Sequence, residues 1–296
     1  ASDYAVPAGK IIRCWLPYPR QDQARQQDVE FISASEPQYT FSSPECRHST
    51  LYMEKRAVEG EPTVFSETFE FTANGEWHNL KPEDVQPYDT TTALYKEYTA
   101  EREKHIVFSP RLRELAAKLT AGETNPYLKA KRIFRWVNDN FPWASAREYS
   151  TIENIPEYVL DNRHGDCGQV SLLFITLCRI SGIPAHFQSG FMMHPRAWNL
   201  HDWAEVYFEG VGWVPADQSF GIPAFARNAD EEYFFLGGID SWRMIVNTDY
   251  GMPLQPEKQY PRSETVDFQR GEVEWEGGNL YFPQWDYHMD IDYLNY

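Results

Sequence analysis

The sequence predicts an α+β fold. It has a β-rich N-terminal part, a run of amphipathic helices, and further strands towards the C-terminus. Three patterns carry this reading. Thr63 to Phe71 alternates near period two, with Phe65, Phe69 and Phe71 on one face. Pro110 to Leu119 and the segment after Asn125-Pro126 repeat apolar residues at helical spacing. His201 to Phe208 alternates again, with His201, Trp203, Glu205 and Tyr207 on one face and Ala204, Val206 and Phe208 on the other.

Residues 1–80 read as a small β-sandwich domain. Ile11 to Leu16 is a short apolar run stopped by Pro17 and Pro19, Leu51 to Glu54 is a second strand, and Asn74-Gly75 is a turn after a third. Residues 81–108 are polar in their first part and read as a connection. Residues 109–296 form the remaining domain. Its first helix starts with Ser109 as N-cap and Pro110 at the first helical position, and stops at Gly122. Asn125-Pro126 opens the next helix, with Ile133, Phe134, Trp136 and Val137 as its buried stripe and Pro142 beyond its end. Ile155 to Leu160 is a short helix. Cys167 to Ser181 is a longer one, apolar at Val170, Leu173, Phe174, Leu177 and Cys178, with Gly182 after its last turn and Pro184 blocking continuation. Ala185 to Met193 is a strand, and Gly210-Val211-Gly212 turns the His201 strand into Trp213 to Asp217. Met244 to Val246 and Glu272 to Trp275 are further strand-like pieces.

The composition sets limits on function. There are 27 Lys and Arg against 44 Asp and Glu, a formal charge of −17. That balance argues against nucleic-acid binding, which needs clustered cations, and against docking on anionic lipid. No apolar run approaches the roughly 20 residues that span a bilayer, so no membrane insertion is expected. Ala1-Ser2-Asp3-Tyr4 carries no basic-then-apolar leader, although a removed leader would leave no trace. Of the four cysteines, Cys14 and Cys46 are open to pairing in an oxidising compartment or to remaining free thiols. Cys178 lies about 16 Å beyond Cys167 along one helix, cannot bridge to it, and reads as core.

Cys167, His201 and Asp217 are the residues with chemistry to offer. A cysteine at a helix start lies beside partial positive charge and free N–H groups, which favour its thiolate. His201 starts one strand and Asp217 ends the next, so a hairpin brings imidazole and carboxylate within hydrogen-bond reach. The backbone N–H of Cys167 is a natural oxyanion donor. Taken alone, the same residues also fit a buried cysteine, a strand histidine bonded to a carbonyl, and an aspartate in a turn. The eight histidines are scattered, with no HExxH, HxxxH or CxxC spacing, so neither metal nor cofactor is expected. There is no glycine-rich phosphate loop and no EF-hand loop, although an acidic surface can bind calcium weakly. His194 reads as decoration of the loop before the His201 strand. Trp285, Asp286, Tyr287, Asp290, Asp292, Tyr293 and Tyr296 read as a strand packed on the core with solvated acids, a pattern that also fits a carbohydrate or peptide platform.

Four blocks give a resemblance. His164-Gly165-Asp166-Cys167-Gly168-Gln169, Ser181-Gly182-Ile183-Pro184-Ala185, His201-Asp202-Trp203-Ala204-Glu205-Val206-Tyr207 and Gly212-Trp213-Val214-Pro215-Ala216-Asp217 resemble, in order and spacing, the core of the transglutaminase-like superfamily. The resemblance covers about residues 128 to 221 and is of the bacterial type. It implies a papain-like core following the N-terminal β-sandwich, with the C-terminal strands packed on it. It also implies Cys167 as nucleophile, His201 as acid/base and Asp217 as orienting residue. Trp143 is the first candidate for a second oxyanion donor and Tyr149 the second; either also fits a packing aromatic. The family pattern often has Ala where this chain has Asp202. By the strand alternation Asp202 points away from the His201 face, so no effect on catalysis is expected. The resemblance implies hydrolysis of peptide or amide bonds through a thioester. It leaves two alternatives, amine transfer to glutamine and a binding module with a vestigial triad. It further implies a peptide or protein substrate, cell-wall or extracellular, and an exported, periplasmic or cell-surface protein.

Overall fold

The computed structural model describes residues 1–145 and 147–294. Thirteen strands are described: β1 (Ile11–Pro17), β2 (Gln26–Ala34), β3 (Tyr39–Phe41), β4 (Thr50–Arg56), β5 (Glu67–Ala73), β6 (Glu76–Trp77), β7 (Ala185–Met192), β8 (Asn199–Phe208), β9 (Gly212–Ala216), β10 (Gly238–Ile239), β11 (Arg243–Thr248), β12 (Glu272–Trp275) and β13 (Gly278–Leu280). The helices are α1 (Ala93–Tyr98), α2 (Pro110–Leu119), α3 (Pro126–Asn140), α4 (Ile155–Asn162), α5 (Cys167–Ile180) and α6 (Ala229–Glu232). The chain divides into two units, each discontinuous in sequence. One holds residues 1–74, 189–200 and 242–296; the other holds 75–188 and 201–241.

The first unit is built on a five-stranded sheet in the order β13-β12-β1-β4-β3. β1 sits in its middle, with Cys14 opposite Val273 on one side and Met53 on the other. Alternation along β1 sends Ile12 and Cys14 into one apolar cluster with Val273, Leu280 and Trp285, and Trp15 into another with Phe191, Met244 and Phe268. The ribbon of β2 and β5 lays Phe31 and Phe69 on Tyr18, Leu51 and Met53, which makes the sandwich. Residues 189–192 of β7 pass close to β11. A Cβ on Gly190 would lie 1.9 Å from the Met244 carbonyl oxygen, so only glycine fits there. Cys14 is a buried free thiol and Cys46 a half-buried one, so the two are not paired.

The second unit is built around α5. Its residues from Gly168 to Arg179 are all buried, and α2, α3 and α4 pack on it. The helix starts follow from local chemistry. The Ser109 side chain accepts the Leu112 N–H, Asn125 accepts that of Leu128, and Pro110 and Pro126 open α2 and α3. Gly182 ends α5 with φ of +76°, a left-handed conformation that glycine adopts without strain. β8 and β9 pair antiparallel, with Ala204 opposite Ala216 and Phe208 opposite Gly212.

Several elements differ from the sequence reading. The polar stretch after residue 81 contains α1, capped by Thr92. β2 and β3 were not expected; their side chains are largely exposed, so they lack a clear buried face. The strand expected from Thr63 starts at Glu67. Residues 285–294, after a 3₁₀ turn at Phe282–Gln284, are irregular and not a strand; Trp285 is buried among them and Asp290 is exposed. Tyr296, named with that segment, lies outside the described residues.

Candidate active site

Asp166 places Cys167. Its side chain caps α5 by accepting the Gln169 N–H at 3.1 Å, and Gln169 Oε1 accepts the Asp166 N–H in return. This reciprocal pair fixes where the helix begins. Cys167 is therefore the first helical residue, half-buried at the N-terminus. The preceding loop is tied down as well: Gly165 bridges to Trp143, and the Ala144 N–H donates to the Gly165 carbonyl at 3.1 Å.

His201 and Asp217 meet across the β8–β9 hairpin. His201 Nε2 lies 2.8 Å from Asp217 Oδ2, and both side chains are buried. The other carboxylate oxygen, Oδ1, accepts the N–H groups of Ser219 and Phe220 at 3.1 and 3.0 Å. Asp217 is thus clamped at both oxygens before it orients the ring. Phe220 packs edge-on against the imidazole with centroids 5.2 Å apart, and Trp203 lies at 5.8 Å. The Trp203 indole N–H donates to Gln188 Oε1 at 2.6 Å, which holds that indole in place.

The hydrogen bond that the structure gives the Cys167 thiol goes to Asp202 Oδ2, at 3.5 Å. The sequence reading gives Asp202 no effect on catalysis beyond local hydration; the structure puts its carboxylate directly on the Cys167 thiol. The alternation along β8 does put Asp202 and His201 on opposite faces. However, the Asp202 face, which also carries Ala204, Val206 and Phe208, is the one that meets the start of α5. Tyr149 joins the same group. Its hydroxyl lies 2.5 Å from Asp166 Oδ1 and 3.3 Å from Asp202 Oδ2, so one phenolic proton is shared between two carboxylates. Trp143 is 59 % exposed beside the loop that enters α5.

The electrostatics oppose the sequence expectation of a lowered thiol pKa. Burial pushes the Cys167 thiol well above its ordinary range, and the charges of Asp202 and Asp166 push it the same way. The backbone N–H of Asp202 faces the sulfur and offsets part of this. Burial also raises the Asp166 carboxyl, against the hydrogen bonds from Tyr149 and the backbone. Cys178 is buried in α5 with its thiol pushed upward by burial, as a core cysteine should be. His194 sits in the loop between β7 and β8, with its ring near Trp242.

Among the described residues, no group of three His, Cys, Asp or Glu side chains is arranged to hold a metal ion, and no helix is long and apolar enough to cross a membrane. A cleft of about 630 Å³, bordered by Glu103, Asn154, Glu157 and Asp161, includes none of Cys167, His201 or Asp217 in its walls. It therefore says nothing about the chemistry at the cysteine.

Residues 113–218 match the family model described as the transglutaminase-like superfamily. The chain is 27 % identical over 140 residues to the uncharacterized protein YebA of Bacillus subtilis (strain 168), covering 40 % of this chain and 19 % of YebA. It is 24 % identical over 254 residues to an uncharacterized protein of Haemophilus influenzae (strain ATCC 51907 / DSM 11121 / KW20 / Rd), covering 73 % of this chain and 66 % of that one. The chain thus spans about a fifth of one relative's length and just under two thirds of the other's. Among solved structures, it is similar to a Cytophaga hutchinsonii protein described as a candidate cysteine protease. The TM-score is 0.55 and the identity 19 %, over 81 % of this chain and 77 % of that one, a likeness of fold. The capped helix behind Cys167, the His201 hairpin and the family match agree: residues 113–218 belong to the transglutaminase-like superfamily.

Proposed function

We propose that this chain is a cysteine-dependent acyl-transfer enzyme that hydrolyses peptide or amide bonds. One observation carries the reading most. The buried His201–Asp217 pair, 2.8 Å across, stands next in sequence to Asp202, the residue that holds the Cys167 thiol. In this reading His201 takes the thiol proton and the sulfur attacks the amide carbonyl carbon. The imidazolium then protonates the leaving amine as the C–N bond breaks, which leaves a thioester on Cys167. Water next attacks the thioester while His201 accepts its proton. The proton returns to the sulfur as the acid departs. Asp217 keeps Nε2 engaged and stabilises the imidazolium.

The backbone N–H of Cys167 faces the developing oxyanion from the helix start. For the second donor the Trp143 indole is preferred to Tyr149, because the Tyr149 hydroxyl is already held by Asp166. The substrate class proposed is a peptide or protein, extracellular or from a cell wall, and the protein is read as exported. Both statements rest on the family resemblance.

The test compares wild type, Cys167→Ala and His201→Ala on a fluorogenic peptide library, with circular dichroism as the folding control. Loss of amide cleavage in both folded variants is expected. Cleavage retained by Cys167→Ala would sink the assignment. Incorporation of a fluorescent primary amine into a glutamine-rich protein, without release of acid, would move the reading to amine transfer.

A further inference from the structure

Asp202 is 2 % exposed and its Oδ2 lies 3.5 Å from the Cys167 sulfur. Its position is built and not incidental. Tyr149 reaches it from a 3₁₀ turn, with the hydroxyl 3.3 Å from the same oxygen. Gly168, the second residue of α5, leaves the space both groups occupy: a Cβ there would lie 2.6 Å from Asp202 Oδ2 and 2.4 Å from the Tyr149 hydroxyl. Charged and titratable groups lie on every neighbouring element. Those acting on the sulfur are Asp166 at the start of α5 and Asp202 on β8; Tyr149 bonds both carboxylates, and the His201–Asp217 pair lies on the other face of β8 and just after β9. A thiol is a weak donor, and its partner here is a carboxylate that accepts its proton without being able to stabilise the charge left behind.

The geometry points to Asp202 as a positioning residue that holds Cys167 as a protonated thiol in the resting site. The inference rests on Cys167 being the nucleophile. The carboxylate fixes the direction of the S–H bond and opposes a thiolate by like-charge repulsion, so the sulfur becomes anionic only as its proton leaves for His201. This balance has a consequence for the reaction. The nucleophile is made during attack, when substrate covers the sulfur, instead of standing as a ready thiolate open to oxidants and alkylating agents.

The experiment follows the rate of Cys167 alkylation by iodoacetamide from pH 5 to pH 10 in wild type, Asp202→Asn and Asp202→Ala. Label is assigned to Cys167 by fragmentation of the tryptic peptide from His164 to Arg179, which also contains Cys178. Asp202→Asn keeps the shape and removes the charge, so it decides the question even if the alanine variant folds poorly. Its midpoint is expected to fall by about one pH unit, the scale of a close charge–charge effect. At pH values below both midpoints this gives roughly tenfold faster labelling. Labelling of Asp202→Asn at the wild-type rate across the whole pH series overturns the inference. A structural role alone would change Tm without moving this profile. Peptide turnover by wild type and Cys167→Ala is read in parallel. Turnover retained by Cys167→Ala defeats the enzyme reading and leaves the midpoint shift to be judged by itself. Turnover lost with an unchanged labelling profile defeats only the role of Asp202.

Discussion

Gly168→Ala should destabilise the chain even though alanine is the better helix former. Gly168 lies inside α5 and its φ is not positive, so nothing in the backbone demands glycine. Helix propensity alone would reward alanine by about 0.5–1 kcal/mol. The surroundings reverse that sign. The added Cβ would sit 2.4 Å from the Tyr149 hydroxyl, 2.6 Å from Asp202 Oδ2 and 2.9 Å from Tyr149 Cε2. Those distances lie below van der Waals contact, so Tyr149, Asp202 or the helix start must shift. Overpacking of this kind costs about 1–3 kcal/mol. Moving Tyr149 also weakens its bond to Asp166, a hydrogen bond to a charged group worth about 1.5–3 kcal/mol at most. The net expectation is a loss of about 1–3 kcal/mol, read by urea unfolding with tryptophan fluorescence. Tyr149→Phe removes the clashing oxygen, so Gly168→Ala should cost less in that background. A double-mutant cycle should report a coupling of about 1 kcal/mol. Gly168→Ala as stable as wild type, or stabilised, would refute the packing argument. Zero coupling would show that Tyr149 is not the group displaced.

Two further predictions follow from buried titratable groups. His105 is 2 % exposed, its Nδ1 accepts the Ile155 N–H at 3.2 Å, and burial, helped by the Lys104 charge, lowers its pKa from 6.5 to about 4. The unfolded chain therefore binds the proton first, and the stability from neutral His105 is lost as pH falls from 6.5 towards 4, up to about 3 kcal/mol. The stability gap between wild type and His105→Gln should narrow over that window, and a gap independent of pH would refute the assignment. Asp166 is shifted the other way, its carboxyl raised by burial, so the folded chain holds that proton more tightly than the unfolded chain. Its contribution is best below the unfolded value of 3.8 and declines as pH rises through the folded value. Asparagine also caps a helix and accepts from Tyr149. Asp166→Asn should therefore gain stability over wild type as pH rises above about 4. A gain that instead grows towards low pH would contradict this.

What could be read in the sequence was what is local. Ser109-Pro110 and Asn125-Pro126 each specify a helix start within four residues, and both starts are found, as is the one at Cys167. The His201 strand and its turn at Gly210 to Gly212 are set by alternation and by glycine, so the approach of His201 to Asp217 was legible too. Long-range pairing was not legible. Nothing near Cys14 shows that its strand lies between one holding Met53 and one holding Val273. α1 escaped notice because it is short and has no buried residue, so no apolar stripe marks it. Asp202 is the most instructive case. Periodicity told which side of β8 it occupies, relative to His201. It did not tell which side the start of α5 would meet, and that is a fact of packing.

The neighbourhood of Cys167 sets two influences against each other, and their sizes decide how the sulfur can be activated. A helix N-terminus favours a nearby negative charge by about 0.3–1 kcal/mol, or up to about 2 kcal/mol in partly buried geometry. Against it stand burial and the carboxylates of Asp202 and Asp166, and these win, since the thiol is driven well upward. The helix start therefore fixes the placement of the sulfur more than it favours a resting thiolate. Under the proposed reading the cation that offsets them is an imidazolium on His201, backed by an Asp217 carboxylate with both oxygens occupied. Under the proposed reading, proton transfer to His201 and attack by sulfur must then be nearly simultaneous. Turnover should accordingly gain from removing the Asp202 charge at low pH more than at high pH. In Asp202→Asn, the ratio of mutant to wild-type kcat/KM should fall as pH rises. A ratio of one at pH values below both thiol midpoints would mean that Asp202 does not act on the sulfur.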